Sequence, residues 1–313
     1  MAAYLANQRL AAQMFVHSLH DRLGEPQYIE KQTFQDDNER RKSTWMRVVG
    51  KWEGSTSAND IYSVSTDSVL IQGGGDLAQW KLGKEDDRLH LGAMLGYGNA
   101  RSSARAEGNP YKAVGRVEGY LAGLYATWFQ NDADRLGAYV DSWLQYGWFR
   151  QKVDGQLLES VSYNGRGWAV SGETGYAFKA RGDWVLEPQA QLIYVSYDPD
   201  GVTEPNGTRV TAGRSDGTIW RLGLRTYQTY EMKDGRHIQP YATVNWWRSD
   251  TRSGMTFNTL PQGTLYPKDR YELKLGMNAL FKDGWSGWLN VAGAWGTQDY
   301  HQYAGRIGVK YTW

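Results

Sequence analysis

The sequence predicts an all-β transmembrane barrel of twelve antiparallel strands, with an N-terminal α-helix plugging its lumen. Three observations predict it. From Ser43 onward, apolar and polar residues alternate with period two along most of the chain. The connections sort into tight turns on one side and mostly longer loops on the other. The tryptophans gather near the two ends of the strands instead of along their middles.

Composition narrows the alternatives first. The 313 residues carry 35 Lys+Arg against 34 Asp+Glu, so no basic excess argues for nucleic acid. With no cysteine, a disulfide scaffold, a zinc–thiolate site and a thiol nucleophile are excluded. Mean hydropathy is −0.64, and no apolar run is long enough for a membrane-spanning helix. Yet 15 Trp, 21 Tyr and 7 Phe sit in this hydrophilic chain, and those aromatics need a place.

The chain divides into 1–42, a lumen helix and linker, and 43–313, the barrel. Residues 2–23 read as one helix, with Leu5, Arg9, Ala12, Val16, Leu19 and Leu23 recurring at spacings of three and four. Gly24 and Pro26 stop it. Asn7, Gln8, Gln13, His17, His20 and Asp21 make its polar surface. Residues 27–42 have the polar, charged composition of a linker. The start Met1-Ala2-Ala3-Tyr4 lacks the basic and apolar regions of a signal peptide, so an exported form would carry a leader upstream.

Strands are expected at 43–55, 60–80, 87–104, 115–130, 134–152, 166–180, 184–198, 216–232, 236–250, 269–282, 285–297 and 303–313. In 269–282, Tyr271, Leu273, Leu275, Met277, Ala279 and Phe281 face one way and Glu272, Lys274 and Asn278 the other. Tight turns fall at 83–86, Asn131-Asp132-Ala133, Arg181-Gly182-Asp183, Lys233-Asp234-Gly235 and Lys282-Asp283-Gly284. Longer loops fall at about 105–114, 153–165, 199–215 and 251–268, with two short connections on that side near 56–59 and 298–302. Short turns at one rim and long loops at the other are the plan of an outer-membrane barrel.

With the turns at one rim, Trp128, Trp184, Trp285 and Trp313 fall near it. Trp148, Trp168, Trp220, Trp246 and Trp295 fall near the other. Two aromatic girdles around an apolar band suit a bilayer. The inward positions carry both signs: Arg47, Lys51, Asp141, Glu173, Lys179, Glu187, Arg221, Arg225, Glu272, Lys274, Arg306 and Lys310. That is a polar lumen wall. An even strand count lets 43–55 pair with 303–313 and leaves no sheet edge. Twelve strands leave a bore near one helix diameter, about 10–12 Å, and residues 2–23 as a helix would reach about 33 Å. The expectation is a plug threaded through the pore.

The helix and four motifs resemble a known family. They are Leu19-His20-Asp21-Arg22-Leu23-Gly24-Glu25, Trp45-Met46-Arg47-Val48-Val49-Gly50, Gly74-Gly75-Asp76-Leu77-Ala78-Gln79-Trp80 and the terminal Gly308-Val309-Lys310-Tyr311-Thr312-Trp313. Together they resemble the C-terminal translocator domain of type Va autotransporters, in the AIDA-like adhesin branch, over nearly the whole chain. The resemblance implies a bacterial outer-membrane pore of type V secretion that helps display an N-terminal, covalently linked passenger, with adhesion and virulence as its setting. It implies outer-membrane lipids, the outer-membrane assembly machinery and periplasmic chaperones as partners of a monomer. Val309, Tyr311 and Trp313 would be the assembly signal. The protease-secreting branch cleaves itself at an Asn-Asn step in this helix; here the sequence reads Ala6-Asn7-Gln8, and that chemistry is not transferred.

The expectation is no enzyme, no cofactor and no metal. None of His17, His20, His90, His237 and His301 has zinc-ligand spacing, and there is no GxSxG elbow or P-loop. His17 and His20 share a helix face, where contact with the pore wall is the simpler reading than a metal. His237 beside Asp234 reads as a solvated turn pair, and Gly73-Gly74-Gly75-Asp76 as a bend, a bulge or room for the plug. Arg181-Gly182-Asp183 and Asn206-Gly207-Thr208 read as turn and loop, and Asp198-Pro199-Asp200-Gly201 as a turn. Two rival classes remain, a porin-like solute channel and an outer-membrane hydrolase.

Overall fold

The computed structural model describes residues 1–25, 42–83, 87–131, 136–156, 159–212, 214–252, 255–258, 260–261 and 264–313. The 27–41 part of the expected linker, Pro26, and parts of the turns at 83–86 and 131–133 lie outside the described residues.

Twelve antiparallel strands form the wall. They are β1 Ser43–Thr56, β2 Tyr62–Trp80, β3 Arg88–Ala106, β4 Lys112–Phe129, β5 Gly137–Gly155, β6 Val161–Arg181, β7 Trp184–Pro199, β8 Ser215–Tyr227, β9 His237–Ser249, β10 Asp269–Leu280, β11 Trp285–Gly296 and β12 His301–Thr312. Each pairs with its sequence neighbours, and β1 pairs with β12 from Ser43↔Thr312 to Gly54↔His301. Lys42 and Trp313 then exchange two backbone hydrogen bonds of 3.1 and 3.0 Å. The barrel is closed, so every strand edge is paired.

The alternation that marks the strands also sorts their faces. In β10, Tyr271, Leu273 and Leu275 are exposed on the outside, while Glu272, Lys274 and Asn278 are buried within. Turn chemistry sets the short rim. Asp283 and Gly284 take φ of +59° and +79° between β10 and β11, the paired positive values that fit the twist of a tight hairpin.

Strands of 12 to 21 residues exceed the roughly 9–11 needed to cross hydrocarbon at a tilt. The surplus stands as a collar at the long-loop end. It shortens two expected loops: β3 runs to Ala106 and β4 starts at Lys112, and β5 runs to Gly155 while β6 starts at Val161. The loops expected at 199–215 and 251–268 hold structure of their own. Val202–Thr203, Arg209–Ala212, Met255–Phe257 and Leu260–Pro261 pair into a small four-stranded sheet. The run expected at 216–232 is interrupted after Tyr227, and Tyr230–Glu231 pairs separately with Ile238 and His237.

The single helix expected over 2–23 is two helices, α1 Ala2–Gln13 and α2 Leu19–Leu23. Ser18 makes the break. It takes extended φ/ψ of −91° and 168°, and its side chain accepts the Asp21 N–H as an N-cap. The spacing that joined Val16, Leu19 and Leu23 to Leu5 therefore crosses two elements, and the length argument built on one continuous helix fails with it. Gly24 closes α2 at φ +69° with the Trp288 ring 3.0 Å from where a Cβ would stand. Only glycine tolerates both conditions.

Both helices lie inside the barrel. α1 is buried on nearly all faces, from Ala2 through Gln8 and again at Leu10 and Ala11. A helix surrounded by wall has no solvent face, so it shows no single apolar stripe.

Candidate functional site

Elements enclosing a helix must leave room for its backbone. β3 and β4 do so with glycine. A Cβ at Gly115 would strike the Asn7 side chain and stand 3.0 Å from the Ala3 carbonyl oxygen, and one at Gly98 would strike Met14. The ring of Phe15 lies 3.2 Å from where a Cβ of Gly96 would be. α1 thus rests on a glycine-lined strip, packed against β2 to β8, with its axis toward one side of the lumen.

The outer end of α1 lies among the long loops. Tyr4 donates to Glu204 at 3.0 Å, stacks on Tyr163 and meets Phe257 edge-on. Leu5 is buried beside it. One turn further, the Arg9 guanidinium lies 3.7 Å from the Tyr266 ring centre and donates to the Tyr300 hydroxyl. Ala12 and Val16 are half-buried, with Val16 in the break. There His17 stacks on Trp143 with ring centres 5.0 Å apart, and its carbonyl accepts from Gln191.

α2 is held differently, by charge. Arg22 pairs with Asp141 at 2.6 Å, donates to Thr127, and lies over the Tyr125 ring. Asp21 meets Lys274 at 2.6 Å and Arg306 at 3.6 Å, and its carbonyl accepts from Arg47. His20 contacts Glu187 at 2.6 Å. Glu25 pairs with Arg225 at 2.7 Å, and the Leu19 N–H donates to Glu173, which also pairs with Arg221. These wall residues come from β1, β4, β5, β6, β7, β8, β10 and β12. A five-residue helix has too few backbone bonds to stand alone, so the wall fixes it. Each buried ion needs its partner, because leaving one uncompensated costs about 3–5 kcal/mol.

The sequence model of the autotransporter beta-domain family matches residues 44–292. The chain belongs to this family. Autotransporter beta-domains are outer-membrane translocators of type V secretion, and this chain is one. It is 36% identical over 99% of its length to the uncharacterized protein YdeU of Escherichia coli K12, spanning 69% of that protein. It is 26% identical to the autotransporter adhesin AIDA-I of Escherichia coli over 99% of its length, but spans only 25% of AIDA-I. In structure it resembles the crystallised transport unit of AIDA-I with a TM-score of 0.85 at 24% identity, covering 99% of this chain and 97% of that one. The beta domain of the Bordetella autotransporter BrkA gives a TM-score of 0.67 at 24% identity, over 86% of this chain and 98% of that one.

In this autotransporter barrel, Arg47, Asp141, Glu173, Glu187, Arg221, Arg225, Glu272, Lys274 and Lys310 are buried on the inner face. Arg306 faces inward half-buried. Arg47, Asp141, Glu173, Glu187, Lys274 and Arg306 touch α2 itself, Arg225 touches its flanking Glu25, and Arg221 joins through Glu173. Glu272 joins through Arg306 at 3.7 Å. Lys310 lies nearer the turn rim, opposite Trp45 of β1. Lys179 departs from the expectation: it is exposed at the end of β6, next to a register shift between Lys179 and Arg181. Parity places it inward, but the strand has left the lumen by that point.

Trp148, Trp168, Trp184, Trp220, Trp285, Trp295 and Trp313 are exposed on the outer face. Trp128 and Trp246 are half-buried there, donating to Asp87 and Asp269. Tyr311 lies between Trp285 and Trp313, with ring centres 4.8 and 5.6 Å away.

Other candidates resolve plainly. Among the described residues no group of three or more His, Cys, Asp or Glu side chains could hold a metal. Asp234 pairs with Arg236 at 2.6 Å, not with His237, and the Arg236 backbone N–H with its guanidinium holds that carboxyl below its usual range. A register shift at Asp76/Ala78 follows the three glycines, and the space over Gly74 is filled by the Trp45 ring, not by the plug. The residue reading missed Arg22, Glu25, Tyr4 and the inward aromatics Trp45, Tyr125, Tyr139, Trp143, Trp247 and Trp288. Parity was an available signal for several: Trp45 shares a face with Arg47, and Tyr139 and Trp143 with Asp141.

Proposed function

We propose that this translocator keeps its pore closed with the last segment of the passenger it has delivered, α1 and α2, and displays the rest of that chain outside. The observation that carries this is polarity. The helix starts among the long loops, at Tyr4 and Glu204, while α2 leads toward the rim where β1 begins. A chain continuing upstream of Ala2 would emerge on the loop side, which faces the cell exterior in outer-membrane barrels. The ion pairs around α2 then act as the seat.

On this reading the lumen-wall charges gathered around α2 hold the plug, and Lys310 belongs to the wall nearer the turn rim. Leu5, Arg9, Ala12, Val16 and Leu19 are its contact residues, and the outward tryptophans anchor the wall at the two lipid headgroup layers. Val309, Tyr311 and Trp313 are read by the outer-membrane assembly machinery after delivery by periplasmic chaperones, and the barrel works as a monomer. The likeness to AIDA-I supports an adhesin as the passenger class.

The test is protease shaving of intact cells bearing the chain behind an export leader and an epitope placed before Ala2. Loss of the epitope with survival of the barrel is the expected result. An epitope that stays protected while the barrel is assembled would move the solute-channel reading ahead.

A further inference from the structure

Because α1 leans on the β2–β8 side, the opposite side of the lumen is not filled. A cavity of about 70 Å³ remains there, between α1 and a wall that runs from β9 through β12 to β1 and β2. The inward residues of β11 facing it are small, with Ala294 in its lining. A second cavity of about 70 Å³ adjoins it toward the long loops, and the two share Arg9, Gln13 and Arg270. The two lie one after the other along a corridor from the long-loop end down to Asp21, with Arg9, Gln13 and Arg270 between them.

The charges along this corridor do not balance. Its carboxylates are all engaged. Asp21 is held by Lys274 and Arg306. Glu272 accepts from Asn245 and Trp247, and Glu53 accepts from Tyr300 with Arg9 at 3.8 Å. Two cations are left over. Among the described residues, the Lys51 ammonium and the Arg270 guanidinium have no ion-pair or hydrogen-bonding side chain; Arg270 only lies by the Trp247 ring at 5.2 Å. Both are half-buried and line the same cavity. Half-buried cations that form no ion pair of their own, in a polar space large enough for more than one water, favour an anion.

We propose that the corridor holds a small oxyanion, of the size of phosphate or sulfate, between Lys51 and Arg270. The guanidinium offers a planar fork of donors and the ammonium a point charge, while Ser68 and Gln302 add neutral polar groups to the lining. The ion comes from solution through the outer mouth. Lipid headgroups lie outside the barrel wall and cannot reach a site in its lumen.

The test is titration of the purified full chain in detergent micelles with inorganic phosphate at low ionic strength, followed by calorimetry. One saturable site is expected, with sulfate competing. Lys51→Gln and Arg270→Gln should each weaken it at least tenfold, and the double variant should remove it. Lys51→Arg, which keeps the charge, should retain it. Gel mobility with and without heating shows that each variant is folded. Absence of saturable binding by the folded wild-type chain would overturn the proposal. So would undiminished binding by the folded double variant.

Discussion

At the scale of single residues, the seat of α2 rests on groups that cannot be left alone. Arg22 and Asp141 are both fully buried and 2.6 Å apart. Replacing Arg22 with Leu leaves Asp141 with Thr127 as its remaining donor, and should weaken the seat by about 3–5 kcal/mol. Trypsin cleavage at Arg9, which the seated helix blocks, should then appear within the folded barrel. The double variant Arg22→Leu/Asp141→Leu should recover much of the protection, because it removes both ions together. A double variant no better protected than the single would show that the pair is not what holds the helix. Glu173→Ala and Arg225→Ala make a second test. Glu173 serves both the Leu19 N–H and Arg221, and Arg225 serves Glu25 and Glu187. Each change should raise open-pore events in planar bilayers more than it lowers the yield of heat-modifiable folded barrel. Equal loss of folded barrel in both would mean that these charges support the wall instead of the plug.

At the scale of elements, α1 and α2 answer to different physics, and their legibility in the sequence differed for that reason. α1 is positioned by absence of side chains on the wall. Gly115 of β4 and Gly98 of β3 let Asn7 and Met14 in, so Gly115→Leu should push α1 off that strip. Larger single-channel conductance with normal gel mobility is the expected reading, and an unchanged conductance would mean that the helix tolerates the side chain. The wall was readable because period two is local: each inward charge announces itself by its neighbours two residues away. The break between the helices was not. Spacings of three and four continue through Val16 and Leu19, and only the cap formed by Ser18, together with Glu173 taking the Leu19 N–H, ends the first element. Glu173 lies 154 residues along the chain from Leu19, where no local pattern points, and Ser18-Leu19-His20-Asp21, with the spacing of a helix start, was the one local signal of the break. The small sheet over the mouth escaped for a related reason. Its strands are two to four residues long, too short for a periodicity to register.

At the scale of the whole molecule, the barrel exists only once its first and last strands meet. Twelve residue pairs join β1 to β12, and the backbone of Trp313 closes the register with Lys42. Closure therefore waits for β12, the last of the wall strands. An outward row of Val309, Tyr311 and Trp313 sits on the strand that must find β1, and Trp313 is 54% exposed with its ring stacked on Tyr311. A side chain so exposed adds little to the wall itself, so its removal separates recognition from folding. Trp313→Ser should leave refolding of the purified chain in detergent near the wild-type yield, since both Lys42–Trp313 backbone bonds survive. In cells the same variant should accumulate far less heat-modifiable barrel in the outer membrane, because it removes the aromatic end proposed above as the assembly signal. Loss of yield in both settings would assign Trp313 to the wall. Normal yield in both would remove it from assembly altogether. Only the split between detergent and cell places this residue at the point where a closed sheet, and not merely a strand, is made.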